Sequence, residues 1–255
     1  MSSYIGRHAE LYDIFYAEKP YGEEAAFVHQ CLQQYSIGKT NRLLELACGT
    51  GEHALALEKF GYEIVAVDYS EDMLNCAQRK AVQLSSSVEF RWQDMRNLNL
   101  LDEAFDGIVC LFDSIGYVAT NAALNQVLQG INHHLRPDGL LVFEFWHAAA
   151  MLHNYDPVRI RRWSMPEGEI LRISETTLQL PQQLANVTYS IYELCHDGTY
   201  SSLKETQVNR YFLLQEMANL LTFSGFTPLN WFSGFRDDEN ISQETWHIVG
   251  VARKS

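Results

Sequence analysis

Glu45 lies inside the apolar run LLELA, Asp68 closes EIVAVD, and Asp94 follows VEFRW in the stretch WQDMRNL. Each acid is placed in or just after a β-rich run, where a side chain can face a crevice. Between the first two stands Gly49-Thr50-Gly51, and helix-forming residues follow at once. A glycine loop between strand and helix lets the backbone approach a ligand, and GTGEHA fits the loose G-x-G-x-x-G/A form of a dinucleotide loop. Charge separates the candidate ligands. A diphosphate would sit against the carboxylates of Glu45 and Glu52, whereas a ligand with a positive centre would be attracted to them. An acid ending the second strand accepts hydrogen bonds from ribose hydroxyls, and Asp94 is placed to take the exocyclic amine of an adenine. Ribose, adenine and a cationic amino-acid tail together describe S-adenosylmethionine.

These residues need a scaffold, and the chain supplies a regular one. Strand-like runs fall at 42–47, 63–68, 88–92, 105–112 and 140–145. Helical stretches at 52–60, 71–82 and 121–135 lie between them, the last stopped by the turn sequence Arg136-Pro137-Asp138-Gly139. Nearly continuous apolar strands alternating with helices predict an α/β fold, a doubly wound parallel sheet covered on both faces. From about Trp163 to Arg210 the pattern changes to alternating Thr-, Tyr- and Ile-rich runs, with breaks at Pro181-Gln182-Gln183 and His196-Asp197-Gly198. That predicts antiparallel hairpins. A helix from Leu214 to Ser224 and strands near 227–232 and 245–252 follow. The expected organisation is an α/β core with an N-terminal helical lid over 1–150, a β insertion over 151–212, and a return to the core over 213–255.

Composition narrows the partners. The chain has 255 residues, 47% of them hydrophobic, with a net charge of −13, which disfavours nucleic acid and anionic membrane surfaces. GLLVFEFWHAAAML is interrupted by Glu144 and His147, so no membrane span is expected. Five scattered cysteines with no C-x-x-C pair, and no basic-then-apolar leader, point to the cytoplasm. The expected partner is a small-molecule acceptor, bound by a monomer or homodimer.

LLELACGTGEHAL, VAVDYSEDML and WQDMRNL, in this order and spacing, resemble the first three motifs of class I S-adenosylmethionine-dependent methyltransferases. The resemblance implies a seven-stranded Rossmann-like sheet. It also implies cofactor contacts by Glu45, Ala47, Gly49, Gly51, Asp68, Tyr69, Met73, Asp94, Met95 and, after the fourth strand, Leu111. SYIGRHAELYDIFY, CLFDSIGYV and NHHLRPDGLLVFEFW further resemble bacterial amino-sugar N,N-dimethyltransferases of macrolide sugar pathways. In that subgroup Tyr4 and Tyr117 match positions near the acceptor amine, and the resemblance implies that the β insertion over 151–212 caps the acceptor site. Two departures concern the acceptor: NISQETWHIV lacks the arginine of the subgroup's C-terminal segment, and Phe145-Trp146-His147 replaces P-W-W.

Methyl transfer from a sulfonium is an in-line displacement that needs alignment and exclusion of water more than a strong base. Tyr4, Tyr117 and Glu144, at the end of the fifth strand, are the candidates for orienting an acceptor. Tyr12 and Tyr16, at i and i+4 on a short helix, would share one face over the cofactor. Asp113 replaces a small residue of the subgroup's pattern and suits a cationic amine or a sugar hydroxyl. His53 reads as cofactor-proximal, Cys48 as lacking a paired base, and the arginines at 159, 161 and 162 as a solvated strand face. His133-His134 suits a helix end better than a metal, and none is expected. The leading expectation is N-methylation of a small amine, possibly on an amino sugar. O-methylation of a hydroxylated metabolite, a nicotinamide-dependent oxidoreductase, a non-catalytic S-adenosylmethionine-binding protein and an RNA methyltransferase are the alternatives.

Overall fold

The computed structural model describes residues 4–101 and 103–255. Strands β1 (Arg42–Leu46), β2 (Glu63–Asp68), β3 (Glu89–Trp92), β4 (Phe105–Cys110) and β5 (Leu135–Trp146) run parallel. A second sheet holds β6 (Val158–Met165), β7 (Gly168–Gln179), β8 (Leu184–Cys195) and β9 (Tyr200–Arg210), all antiparallel. β10 (Phe226–Ser233) and β11 (His247–Lys254) return to the first sheet and pair antiparallel, giving the order β10-β11-β5-β4-β1-β2-β3.

Successive side chains of β1 face opposite ways, as the two-residue period of a strand requires. Leu43 joins a core packed under α2 (Tyr21–Tyr35), α3 (Glu52–Glu58) and α4 (Glu71–Leu84). Leu44 joins the core on the opposite face, under α5 (Asn121–His134) and α7 (Leu214–Phe223). Both leucines are fully buried, each contributing about 1.5–3 kcal/mol of hydrophobic stabilisation. This two-sided burial explains why the strands read as unbroken apolar runs.

β1 is flanked by β2 on one side and β4 on the other. The winding therefore reverses at β1, and a crevice opens beyond the carboxyl ends of β1 and β4. Over that crevice lie α1 (Arg7–Phe15) and the face of the second sheet. Helix α6 (Ala148–His153) links β5 to that sheet.

Two sequence expectations change. The Arg136–Gly139 turn does not delimit β5 but lies within it. Leu135 pairs with Phe105 and Leu140 with Gly107, so the intervening residues form a bulge with Asp138 at φ +62°. Apolar anchors on both sides keep the strand in the sheet despite the turn sequence. The strand β6 was not anticipated from apolar alternation. It is an edge strand whose first half, with Val158 and Ile160, is exposed and which packs inward only at Trp163 and Met165, so it carries no such signal. The arginines at 159, 161 and 162 are exposed along it.

Candidate functional site

The loop after β1 is held by its own backbone and by Asp68. Gly49 has φ +56° and its N–H donates to Asp68 Oδ2 at 2.8 Å, while Ser70 N–H donates to Oδ1 at 2.8 Å. Ser70 also caps α4 by accepting from Met73 N–H. Burial raises the Asp68 carboxyl above its ordinary value, opposed by these backbone donors. Glu45 is 2% exposed, and its Oε2 has no hydrogen-bond partner. Burial and the neighbouring charge of Asp68 push its carboxyl up to about 8.

One cleft gathers most of the expected residues. Tyr4, Tyr12, Tyr16, Glu45, Ala47, Gly49, Asp68, Tyr69, Met73, Leu111 and Tyr117 all line it. Its described lining contains four carboxylates, Glu45, Glu52, Asp68 and Asp113, and neither lysine nor arginine. Just behind the lining, Lys80 pairs with Glu52 at 2.5 Å, and Lys19 pairs with Glu24 while lying 4.4 Å over the Phe112 ring. Glu45, Asp68 and Asp113 pair with no lysine or arginine, although His53 Nδ1 lies 4.0 Å from Glu45 Oε1. Such a lining suits a cationic group better than a diphosphate, which would meet carboxylates with no lysine or arginine beside them.

The residues before α1 and its first turn close the cleft. Tyr4 and Tyr117 hydroxyls lie 3.0 Å apart and share Gln207 Oε1 as acceptor, at 3.0 and 3.3 Å. Burial lifts both phenols well above their ordinary pKa, so they stay neutral. Tyr4 N–H donates to Glu205, whose other oxygen is 2.9 Å from His8 Nδ1, and Ser70 Oγ donates to the Tyr4 carbonyl. The segment is thereby tied to β9 and to the core. Tyr12 and Tyr16 pack ring to ring at 4.7 Å, and Tyr16 meets Phe112 edge-on.

Four expected residues are placed elsewhere. Gly51, at φ +81°, packs under Phe90, where an added Cβ would come within 2.7 Å of the ring, so its glycine serves helix–strand packing. Asp94 caps a short 3-10 turn, and its carboxylate is forked by Arg96, two residues on. Met95 packs on the core beside it. Glu144 points beneath the cleft instead of into it, because the left-handed Phe112-Asp113 turn lies above it. Its Oε2 accepts from Phe112 N–H at 2.6 Å, and Oε1 lies 2.8 Å from His247 Nδ1. Burial would raise the Glu144 carboxyl, but the contact with His247 brings it below its ordinary value.

The setting of other residues follows the same geometry. His53 Nε2 is 2.6 Å from Glu24 Oε2, and burial pushes the Cys48 thiol far up, which suppresses any thiolate. His134 Nδ1 contacts the Glu103 carbonyl at 2.8 Å. No metal-binding group of side chains occurs among the described residues.

Sequence reasoning overlooked Tyr21, Trp146, Tyr189 and Asn209, which also line the cleft, and Gln207. A signal existed for two of them. Gln207 and Asn209 are buried, at 2% and 6% exposed, on one face of β9. Polar residues at inward strand positions are costly unless they have a partner or a ligand.

The residues converging here fit a nucleoside with a cationic tail. The loop backbone approaches closely at Gly49, where a Cβ would touch Met73, and the orphaned Glu45 oxygen suits a positive group. A protein of Geobacillus sp. (strain WCH70) described as a methyltransferase is 31% identical over 247 residues, covering 96% of this chain and 98% of that one. The family described as Methyltransferase domain matches residues 43–139. This chain is an S-adenosylmethionine-dependent methyltransferase. The methyltransferase is also 35% identical over 148 residues to the dTDP-3-amino-3,6-dideoxy-alpha-D-glucopyranose N,N-dimethyltransferase of Streptomyces fradiae, covering 57% of this chain and 55% of that one. An S-adenosylmethionine-dependent methyltransferase from Clostridium acetobutylicum superimposes with a TM-score of 0.81 at 22% identity over 97% of both chains. Streptomyces venezuelae DesVI superimposes with a TM-score of 0.79, at 22% identity over 97% and 99%. No described helix is long and apolar enough to cross a membrane.

Proposed function

We propose that the methyltransferase methylates the nitrogen of a small amine. The carrying observation is the lining itself: beyond the cofactor residues the cleft is walled by Tyr4, Tyr117, Trp146 and Tyr189 and holds a buried carboxylate without any lysine or arginine. Aromatic faces and an unpaired carboxylate attract cations. A nucleotide-linked sugar would need cations for its diphosphate, so the acceptor is read as an amine without that group, an amino sugar included.

Bound S-adenosylmethionine supplies an electrophilic methyl group on a sulfonium. Asp68 would hold the ribose hydroxyls, Glu45 the cofactor's ammonium, and Gly49 would let the backbone approach, with Tyr69, Met73 and Leu111 flanking the nucleoside. Tyr12 and Tyr16 exclude water from above, while Tyr4 and Tyr117 orient the acceptor through their linked hydroxyls. Glu144 acts as a positioning residue, through Phe112. The sheet between residues 158 and 210 serves as the acceptor cap, since β9 supplies Gln207 and Asn209 and β8 supplies Tyr189.

The test is turnover with matched pairs of acceptors that differ only in an amine or hydroxyl group. Methylation of the amine members supports the reading. Methylation of only the hydroxyl members would replace it with O-methylation.

A further inference from the structure

We propose that Asp113 and Asn209 form an anchor for a protonated amine bearing at least two N–H groups, and that Asp113 takes one of its protons. The inference rests on the amine reading above and names what recognises the nitrogen.

Asp113 is 3% exposed and Asn209 6%, and both line the cleft. Asn209 Nδ2 donates to Asp113 Oδ2 at 3.4 Å, which turns its own oxygen elsewhere. Asp113 Oδ1 and Asn209 Oδ1 are then both buried acceptors without partners. Burying an acceptor without a partner is unfavourable, so both oxygens favour a ligand that donates to them. Two unpartnered acceptors, one on a carboxylate, suit a ligand that donates twice and carries positive charge. A primary or secondary ammonium does both, whereas a hydroxyl donates only once.

The backbone around Asp113 is built to present it. Phe112 and Asp113 both have positive φ, +52° and +62°, a costly conformation for residues with side chains. Glu144 holds this turn through Phe112 N–H, and β9 packs against it where the Arg210 carbonyl lies 3.0 Å from a Cβ placed on Gly116. The groups facing Asp113 are Glu144, the Cys110 thiol, Asn209 and the Trp146 amide. Burial and the charge of Glu144 raise its carboxyl well above its ordinary value, opposed by that amide, so it accepts a proton readily. In the step proposed, one N–H bond of the ammonium breaks, an O–H bond forms on Asp113, and the nitrogen keeps the electron pair with which it attacks. After transfer the methylated nitrogen is again a cation, and the proton on Asp113 passes to solvent.

The experiment uses the full chain saturated with S-adenosylhomocysteine. Glucosamine, ethanolamine and benzylamine are titrated calorimetrically against glucose, ethylene glycol and benzyl alcohol. Turnover with S-adenosylmethionine is then measured across pH. Asp113→Asn and Asp113→Ser should each lower kcat/KM for amines about 100-fold or more. They should also weaken amine binding, remove the acid limb of the kcat/KM profile and leave S-adenosylhomocysteine affinity within about threefold. Asn209→Ala, which spares the carboxylate, should weaken amine binding without moving the pH profile. If amines are substrates and the Asp113 variants match wild type, the anchor is wrong and the amine reading stands. If wild type neither binds nor methylates any of these amines, that reading falls, and the anchor with it.

Discussion

In the proposed assignment the cofactor end of the cleft draws mainly on one stretch, from Glu45 through Met73, where backbone donors meet Asp68, with Tyr12, Tyr16 and Leu111 added from outside it. The acceptor end gathers Tyr4, Asp113, Tyr117, Trp146, Tyr189 and Asn209 from segments spread along nearly the whole chain. At the cofactor end, Asp68 is satisfied by the amides of Gly49 and Ser70. At the acceptor end, Asp113 and Asn209 each retain an unpartnered oxygen. The first is largely pre-formed by local geometry. The second is assembled by long-range packing, and under the proposal above its ligand completes it.

Four predictions would break or sharpen that contrast. The largest effect is expected for Asp68→Ala, which removes the ribose contacts and the Gly49 tether together. S-adenosylhomocysteine affinity should fall about 100-fold or more by calorimetry, and an unchanged affinity would remove Asp68 from the site. Tyr4→Phe should lower kcat/KM about tenfold through loss of the hydroxyl relay to Tyr117 and Gln207. Its cofactor affinity should stay within about threefold; an equal loss in both would erase the division between the two ends.

The third prediction concerns pH. With its carboxyl raised to about 8, Glu45 is mostly protonated at neutral pH in the ligand-free protein. A cationic ligand favours the anion, so binding should release a proton, and S-adenosylhomocysteine affinity should rise by about tenfold from pH 6 to 8. Folding stability moves the other way. A carboxyl raised in the folded state costs nothing below its unfolded value of about 4.5, and stability is lost as pH rises from there through about 8. Glu45→Gln should flatten both profiles, measured by calorimetry and by thermal unfolding. The smallest effect belongs to Asp94→Ala, whose carboxylate is taken up by Arg96; cofactor affinity should change by less than about threefold.

Legibility followed locality. Glu45, Gly49 and Asp68 stood out because strand periodicity and a glycine loop fix where such residues face. Asp94 carried the same local signature, yet an arginine two residues away claims its carboxylate, and only side-chain geometry reveals that competition. Glu144 ends a strand where an acid would face the crevice, but the turn at Phe112-Asp113 lies over it and takes its oxygen. Gln207 and Asn209 left a trace as polar residues at inward strand positions, although what they would face was not inferable from β9 alone.

By itself the sequence determined the alternation that makes a parallel sheet, the glycine loop after β1, and the acids suited to a cationic nucleoside. These are consequences of backbone periodicity and nearby charge, which act over a few residues. Tertiary structure decided which carboxylates reach the cleft, that the N-terminal tyrosines close it, and that Asp113 and Asn209 meet across β9 and the β4 turn. Such contacts depend on packing between residues nearly a hundred positions apart, and no local rule encodes them.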